Sequence, residues 1–201
     1  MTWGDSFDYA LNGDVLHAVV IDAMGHGLDA ATMATVAIGA YRHARRAGIG
    51  LSEIYDFTDR AVAEQFGPEH FATAQMMQLD TTTGRVQWVN AGHPPPVLAR
   101  NHRVAGRLAA PTTLPVGLGG AEPRISELGL ERGDRVLCFT DGPVEEHRTG
   151  GEEFGEDQLI DCVNHLERTG RGVRAVTHTL KRARGGRTTE DATLLMVEWR
   201  G

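Results

Sequence analysis

The sequence predicts one mixed α/β domain of the α+β kind, on three observations. A strand, an acidic residue, a glycine loop and a helix follow one another from Val15 to Arg46. Two tight turns, at Asn12-Gly13 and at Thr81 to Gly84, join strand-like runs, and a second buried run, Arg135 to Thr140, ends on a carboxylate as the first does. At 201 residues and 41% hydrophobic the chain can bury one sizeable core. No repeat, low-complexity tract or linker divides it, so residues 1–201 are expected to form a single domain.

The elements follow in order. Phe7 and Tyr9 alternate with Ser6 and Asp8 as in a half-buried strand within Met1 to Leu11. Asn12-Gly13 is a hairpin signal leading into Val15 to Ile21, a short β-branched apolar run. Asp5, early in the first strand, is therefore expected near Asp22, at the end of the second. Ala30, Met33, Ala34, Ala37, Tyr41 and Ala44 recur at helical spacing from Asp29 to Arg46, with basic residues in the last turns and Gly48 beyond. Leu51 to Phe66 continues as a second helix. Phe71 to Asp80, Arg85 to Asn90 and Pro96 to Ala99 read as strands. The prolines in Asn90-Ala-Gly-His-Pro-Pro-Pro96 make the connection between the last two rigid and non-helical. Leu114 to Leu118 and the glycines after it form a long loop. Gln158 to Leu166 and Gly172 to Ala183 are predicted helices, and Asp191 opens a final buried strand.

A net charge of -7 argues against nucleic acid or an anionic membrane as the main partner. No apolar run approaches the roughly 20 residues that span a bilayer, and the N-terminus lacks the layout of a signal peptide, which predicts a cytoplasmic protein. Cys138 reads as a small core residue, and the nine histidines show no zinc-ligand spacing.

Gly25-His26-Gly27 with Ala30 has the spacing of a dinucleotide-binding turn, but Asp22 and Asp29 flank the glycines and a second helix stands where another strand is needed. A carboxylate at a strand end suits a hard cation better. Asp5, Asp22, Asp141 and Asp191 each sit at or near a predicted strand end beside glycine or a turn. Any one alone reads as a turn-capping residue. Gathered together, four carboxylates would repel one another unless cations neutralise them, and oxygen-only ligands select Mg²⁺ or Mn²⁺. His26, beside the loop, is a candidate proton donor as much as a turn residue, and His93, inside the proline loop, reads as structural.

Gly4-Asp5-x-Phe7-Asp8, Ile21-Asp22-x-x-Gly25-His26-Gly27 with Ala30-Ala31, Asn90-Ala-Gly-His-Pro94, Leu114-Pro-x-Gly117, Gly133-Asp134 with Phe139-Thr140-Asp141-Gly142, and Glu190-Asp191-Ala-Thr-Leu-Leu195 occur in one order across nearly the whole chain. In this the sequence resembles the metal-dependent (type 2C-like, PPM) serine/threonine phosphatases, in the branch named for stage II sporulation protein E. The resemblance implies an α-β-β-α sandwich of two mostly antiparallel sheets with a site for two Mn²⁺ or Mg²⁺ ions at one end. Carried over by position, Asp22 would bridge both ions, the Ala23 carbonyl would bind one of them, Asp141 and Asp191 would hold one, and Asp5 would contribute to the other. The activity implied is hydrolysis of phosphoserine or phosphothreonine by an ion-activated water, on a small anti-anti-sigma-factor domain. By analogy, Ala30 to Phe66 is a candidate regulatory or homodimer surface.

The sequence departs from the family at Trp3, where a glycine is usual, at Pro143 after Asp-Gly, and at Glu190 in place of a common aspartate. Most relatives also carry another strand before Gly-Asp, so either the edge of one sheet is expected to be short or the sequence is a piece of a longer chain. The competing expectation is a binding module that keeps the fold and the partner surface without catalysis.

Overall fold

The computed structural model describes residues 4–120, 122–140, 159–164 and 193–201. In chain order these form β1 (Asp5–Asn12), β2 (Val15–Ala23), α1 (Leu28–Arg46), α2 (Leu51–Phe66), β3 (Ala72–Asp80), β4 (Arg85–Ala91), β5 (Val97–Arg100), β6 (Arg103–Arg107), β7 (Ile125–Gly129), β8 (Arg135–Phe139) and β9 (Leu194–Glu198). A short helical stretch covers 159–164. The strands make two sheets, ordered β1-β2-β3-β4-β7 and β6-β5-β8-β9, with every neighbouring pair antiparallel.

The unbroken apolar run of β2 follows from burial on both faces. Ala18 and Val20 join Met77, Trp88, Val136 and Cys138 in the core between the sheets. Val19, Ile21 and Ala23 point the other way and pack with Met33, Ala37 and Tyr41 of α1 and Ile54 of α2. A third cluster joins Val97, Leu137 and Phe139, on the outer face of the smaller sheet, to Leu159 and Val163 of the helical stretch. The layers therefore run helices, sheet, sheet, helix, as the family resemblance implies. Cys138 is a buried free thiol in the middle layer. Among the described residues no helix is long and apolar enough to cross a membrane.

A buried ion pair fastens α1 to the edge strand. Asp8 Oδ1 accepts from Arg42 Nε and Nη2 at 2.9 and 2.8 Å, and Asp8 Oδ2 accepts from Arg45 Nε at 3.3 Å. Arg45 Nη1 donates to Asn12 Oδ1 at 3.0 Å, and Asn12 Nδ2 returns a bond to the Arg45 carbonyl at 2.7 Å. The Arg45 side chain is only 8% exposed, so its charge depends on these partners for solvation.

α1, α2, β2 to β5 and β8 match their predicted spans to within one or two residues, whereas the final strand, expected to open at Asp191 and to be buried, is the mostly half-buried β9 from Leu194. β2 runs on through Asp22 to Ala23 rather than stopping at Ile21. Two strands, β6 and β7, lie in stretches whose sequence shows no strand pattern. Both are sheet edges with largely exposed side chains. Such strands are held by backbone pairing to one neighbour, which leaves little demand on residue type. β6 is reached through Asn101 and His102, both at positive φ (53° and 60°), as a tight hairpin turn of the primed kind requires. Residue 158, residues 165–166 and all of the predicted helix over 172–183 lie outside the described residues.

His17 is 5% exposed on the helix-facing side of β2, and its Nδ1 has no hydrogen-bond partner among the described residues. Burial first, and the Arg45 guanidinium second, lower its pKa from the ordinary histidine value. Its folded pKa lies below the unfolded one, so the unfolded chain binds the extra proton and stability falls as pH drops below about 6.5. His17→Gln should flatten that acid limb. The difference between parent and variant melting temperatures should shrink or reverse between pH 7.5 and pH 5.5, and a constant difference would exclude this role.

Candidate active site

Asp5 and Asp22 are direct partners across the β1–β2 ladder, and Asp22 is the direct partner of Thr73 on β3. Residues paired this way project from the same face of a sheet. The parity of β2, with Ala18 and Val20 in the inter-sheet core, puts this row on the side facing the smaller sheet. Asp8, three residues after Asp5, falls on the opposite face and meets α1 instead.

The smaller sheet reaches this row at the end of β8. Thr140, fully buried, donates its hydroxyl proton to Asp5 Oδ2 at 2.6 Å. Its Oγ1 accepts from the Thr193 N–H at 3.0 Å, and the Thr140 N–H bonds the Thr193 carbonyl at 3.1 Å. His93, 4% exposed, spans the two sheets beside it. Its Nδ1 lies 2.8 Å from Thr73 Oγ1 and its Nε2 lies 2.9 Å from the Phe139 carbonyl. A carbonyl only accepts, so Nε2 carries a proton, and in the neutral ring Nδ1 is the acceptor for the Thr73 hydroxyl. The Asn90 side chain fixes the backbone of His93 through a 2.8 Å bond to its N–H. His93 is a structural cross-brace, as the proline loop suggests.

Gly4 is buried because the chain has no room there for a side chain. A Cβ on Gly4 would stand 2.8 Å from the Ala23 carbonyl oxygen and 3.4 Å from Ala30 Cβ in the first turn of α1. The Ala23 N–H in turn bonds the Gly4 carbonyl at 3.2 Å. Beyond Ala23, Gly25 and Gly27 take φ of 84° and 82° with open space around both, so conformation rather than crowding selects glycine. His26 between them is exposed.

The Leu114-Pro-Val-Gly117 loop buttresses this end. Val116 exchanges two 2.9 Å bonds with Ala72, the ladder partner of Ala23. Asp59 on α2 accepts from the N–H groups of Gly117 and Gly119 at 2.7 and 3.2 Å, and Tyr55 donates to the Leu114 carbonyl at 2.7 Å.

The structure thus brings Asp5, Asp22 and the Ala23 backbone to one end of the sandwich, with His26 on the adjoining loop. Asp141 and Asp191 lie outside the described residues. Among the described residues no three His, Cys, Asp or Glu side chains gather as a metal site would need. What is described fits a hard cation: two in-register carboxylates, one of them held by a threonine hydroxyl. Sequence reasoning passed over Thr140 and Thr73. Thr140 was visible only as a letter in Phe139-Thr140-Asp141-Gly142, with no local signal that its hydroxyl serves a residue far away in the chain.

A family model described as stage II sporulation protein E (SpoIIE) matches residues 12–200. The phosphoserine phosphatase RsbP of Bacillus subtilis (strain 168) is 26% identical over 148 residues, covering 71% of this chain and 36% of RsbP. The solved structure of the RsbU and RsbW domains of Rv1364c from Mycobacterium tuberculosis superimposes with a TM-score of 0.87 at 29% identity, over 100% of this chain and 57% of that one. RsbX in complex with magnesium superimposes with a TM-score of 0.73 at 17% identity, over 98% of this chain and 87% of that one, a likeness of fold. The chain spans about a third of RsbP and somewhat more than half of the Rv1364c structure.

Gly4→Ala should force β1 and the Ala23 carbonyl apart, costing about 1–3 kcal/mol by overpacking. Urea denaturation of the purified variant checks this, and an unchanged midpoint would mean the strand start yields freely.

Proposed function

Because the chain belongs to the stage II sporulation protein E family of PP2C-like (PPM) phosphatases, we propose that it is a protein serine/threonine phosphatase dependent on two Mn²⁺ or Mg²⁺ ions. The observation that carries this reading is the in-register pair Asp5 and Asp22, met from the other sheet by Thr140, the residue before Asp141. In this reading Asp22, Asp5 and the Ala23 carbonyl, together with Asp141 and Asp191, would hold the ions. The ions would supply an activated water and positive charge for the phosphoryl oxygens.

The protein's own groups do the rest. The aspartates hold the site at the open end of the sandwich. His26, exposed on the glycine loop, is set to donate a proton to a phosphate oxygen or to the departing serine oxygen. The substrate class is a phosphoserine or phosphothreonine on a folded regulator, in our reading a small anti-anti-sigma-factor domain. A relative named as a phosphoserine phosphatase supports the phosphoserine part.

Hydrolysis of p-nitrophenyl phosphate tests the chemistry. Turnover should require added Mn²⁺ or Mg²⁺, stop with EDTA, and fall in Asp22→Asn and Asp141→Asn by more than the 10–100-fold typical of an outer-shell loss. Calorimetry should count two ions. No turnover, or turnover indifferent to both substitutions, would leave the fold as a partner-binding module.

The span from Ala30 to Phe66, with Thr35, Arg42 and Arg46 exposed on α1, is the surface to which we assign regulation or homodimer contact. Sedimentation equilibrium should show a dimer that Thr35→Arg weakens. A monomer in the unaltered chain would remove the homodimer part of this assignment.

A further inference from the structure

At the site end the described polar groups form a path of ladder pairs and hydrogen bonds from one sheet to the other and back. It runs along the ladder row Asp5, Asp22 and Thr73, then through His93 to the Phe139 carbonyl, and from the next residue, Thr140, back to Asp5. His93 closes one side by bracing Thr73. Thr140 closes the other on a carboxylate that the phosphatase reading makes an ion ligand.

We propose that Thr140 is a positioning residue for Asp5, holding its carboxylate in the orientation that binds a divalent ion; the proposal rests on the phosphatase reading above. A hydroxyl has one proton to give, and Thr140 gives it to Asp5 Oδ2 at 2.6 Å. The Thr193 N–H, donating to Thr140 Oγ1 at 3.0 Å, fixes the direction of that proton. The Thr140 side chain itself is fully buried, which limits the access of water to its hydroxyl.

Asp5 needs such a hold for two reasons. It lies on β1, which among the described residues has a ladder neighbour on one side only. It also stands directly opposite Asp22, and two carboxylates at one register level repel each other. The Thr140 hydroxyl, donating from the opposite sheet, favours one orientation of the Asp5 carboxylate. A ligand oriented before the ion arrives takes less of the ion's binding energy for its own ordering.

The same hydroxyl couples the two halves of the ligand set. Thr140 precedes Asp141, and Thr193, bonded to it through backbone and side chain, comes two residues after Asp191. One threonine thereby ties Asp5 on β1 to the end of β8 and, through Thr193, to the start of β9.

The test compares Thr140→Val, which keeps the shape and removes the hydroxyl, with Thr140→Ser, which keeps the hydroxyl. Both are made in the full chain, with Asp5→Asn beside them. Mn²⁺ binding is measured by calorimetry below the melting temperature of every variant. Thr140→Val should weaken the Mn²⁺ site that Asp5→Asn impairs by about 10–100-fold, and Thr140→Ser should restore it close to the parent value. A purely structural threonine would lower the melting temperature in Thr140→Val and leave Mn²⁺ affinity at the parent level, which would overturn the proposal. Loss of affinity in Thr140→Ser as large as in Thr140→Val would overturn it as well. If Thr140→Val does not fold, Thr140→Ala is read by the same criteria. Unchanged Mn²⁺ binding in Asp5→Asn would remove Asp5 from the ligand set and the role of Thr140 with it. Loss in Asp5→Asn without loss in Thr140→Val leaves the phosphatase reading standing and rejects the positioning role alone.

Discussion

A single hydroxyl proton, donated from Thr140 to Asp5 across 135 residues of sequence, marks the constraint on which the site depends. Two sheets must meet at a fixed separation at one end. Between the sheets the apolar side chains of β2, β3, β4, β5, β8 and β9 supply the attraction, which is strong but non-directional. Contacts of that kind bring the layers together without fixing where one strand end lies relative to another. The directional part comes from a few buried or part-buried hydrogen bonds, Thr140 to Asp5 and His93 to Thr73 and Phe139. In a buried setting an unmet partner costs more than a made bond gains, so these contacts admit one arrangement of the sheets and penalise others.

Strand parity then divides the work of a short motif. Asp5 and Asp8 are three residues apart, so they project from opposite faces of β1. One faces the inter-sheet end where a cation would be held. The other takes Arg42 and Arg45 of α1 and fastens the helix that follows the glycine loop. An edge strand is thereby tied on both faces as well as through its one ladder. Gly4 completes the attachment, since the absence of a side chain there lets β1 pass against the Ala23 carbonyl and the first turn of α1.

Helix α2 supports the same end from outside the sheet. Asp59 and Tyr55 hold the Leu114-Pro-Val-Gly117 loop, Val116 pairs with Ala72, and Ala72 pairs with Ala23. Each step is a hydrogen bond or a ladder pair. The two helices, the proline loop and the strand ends accordingly form one continuous frame around the carboxylates.

Much of this was legible in the order of residues alone. Continuous apolar runs gave β2 and β8, helical periodicity gave α1 and α2, and turn residues gave the hairpins, because each of these is set by neighbours a few positions away. The four aspartates suggested a cation for the same local reason, a carboxylate beside a turn at the end of a strand. The edge strands β6 and β7 escaped, since exposed backbone pairing asks little of side chains. What tertiary structure alone decided is which distant groups meet: that Asp5 faces Asp22 while Asp8 faces α1, that His93 spans two sheets, and that the hydroxyl of Thr140 belongs to Asp5. Those pairings arise from register and layer separation, which are properties of the packed sandwich and leave no mark on any short stretch of the chain.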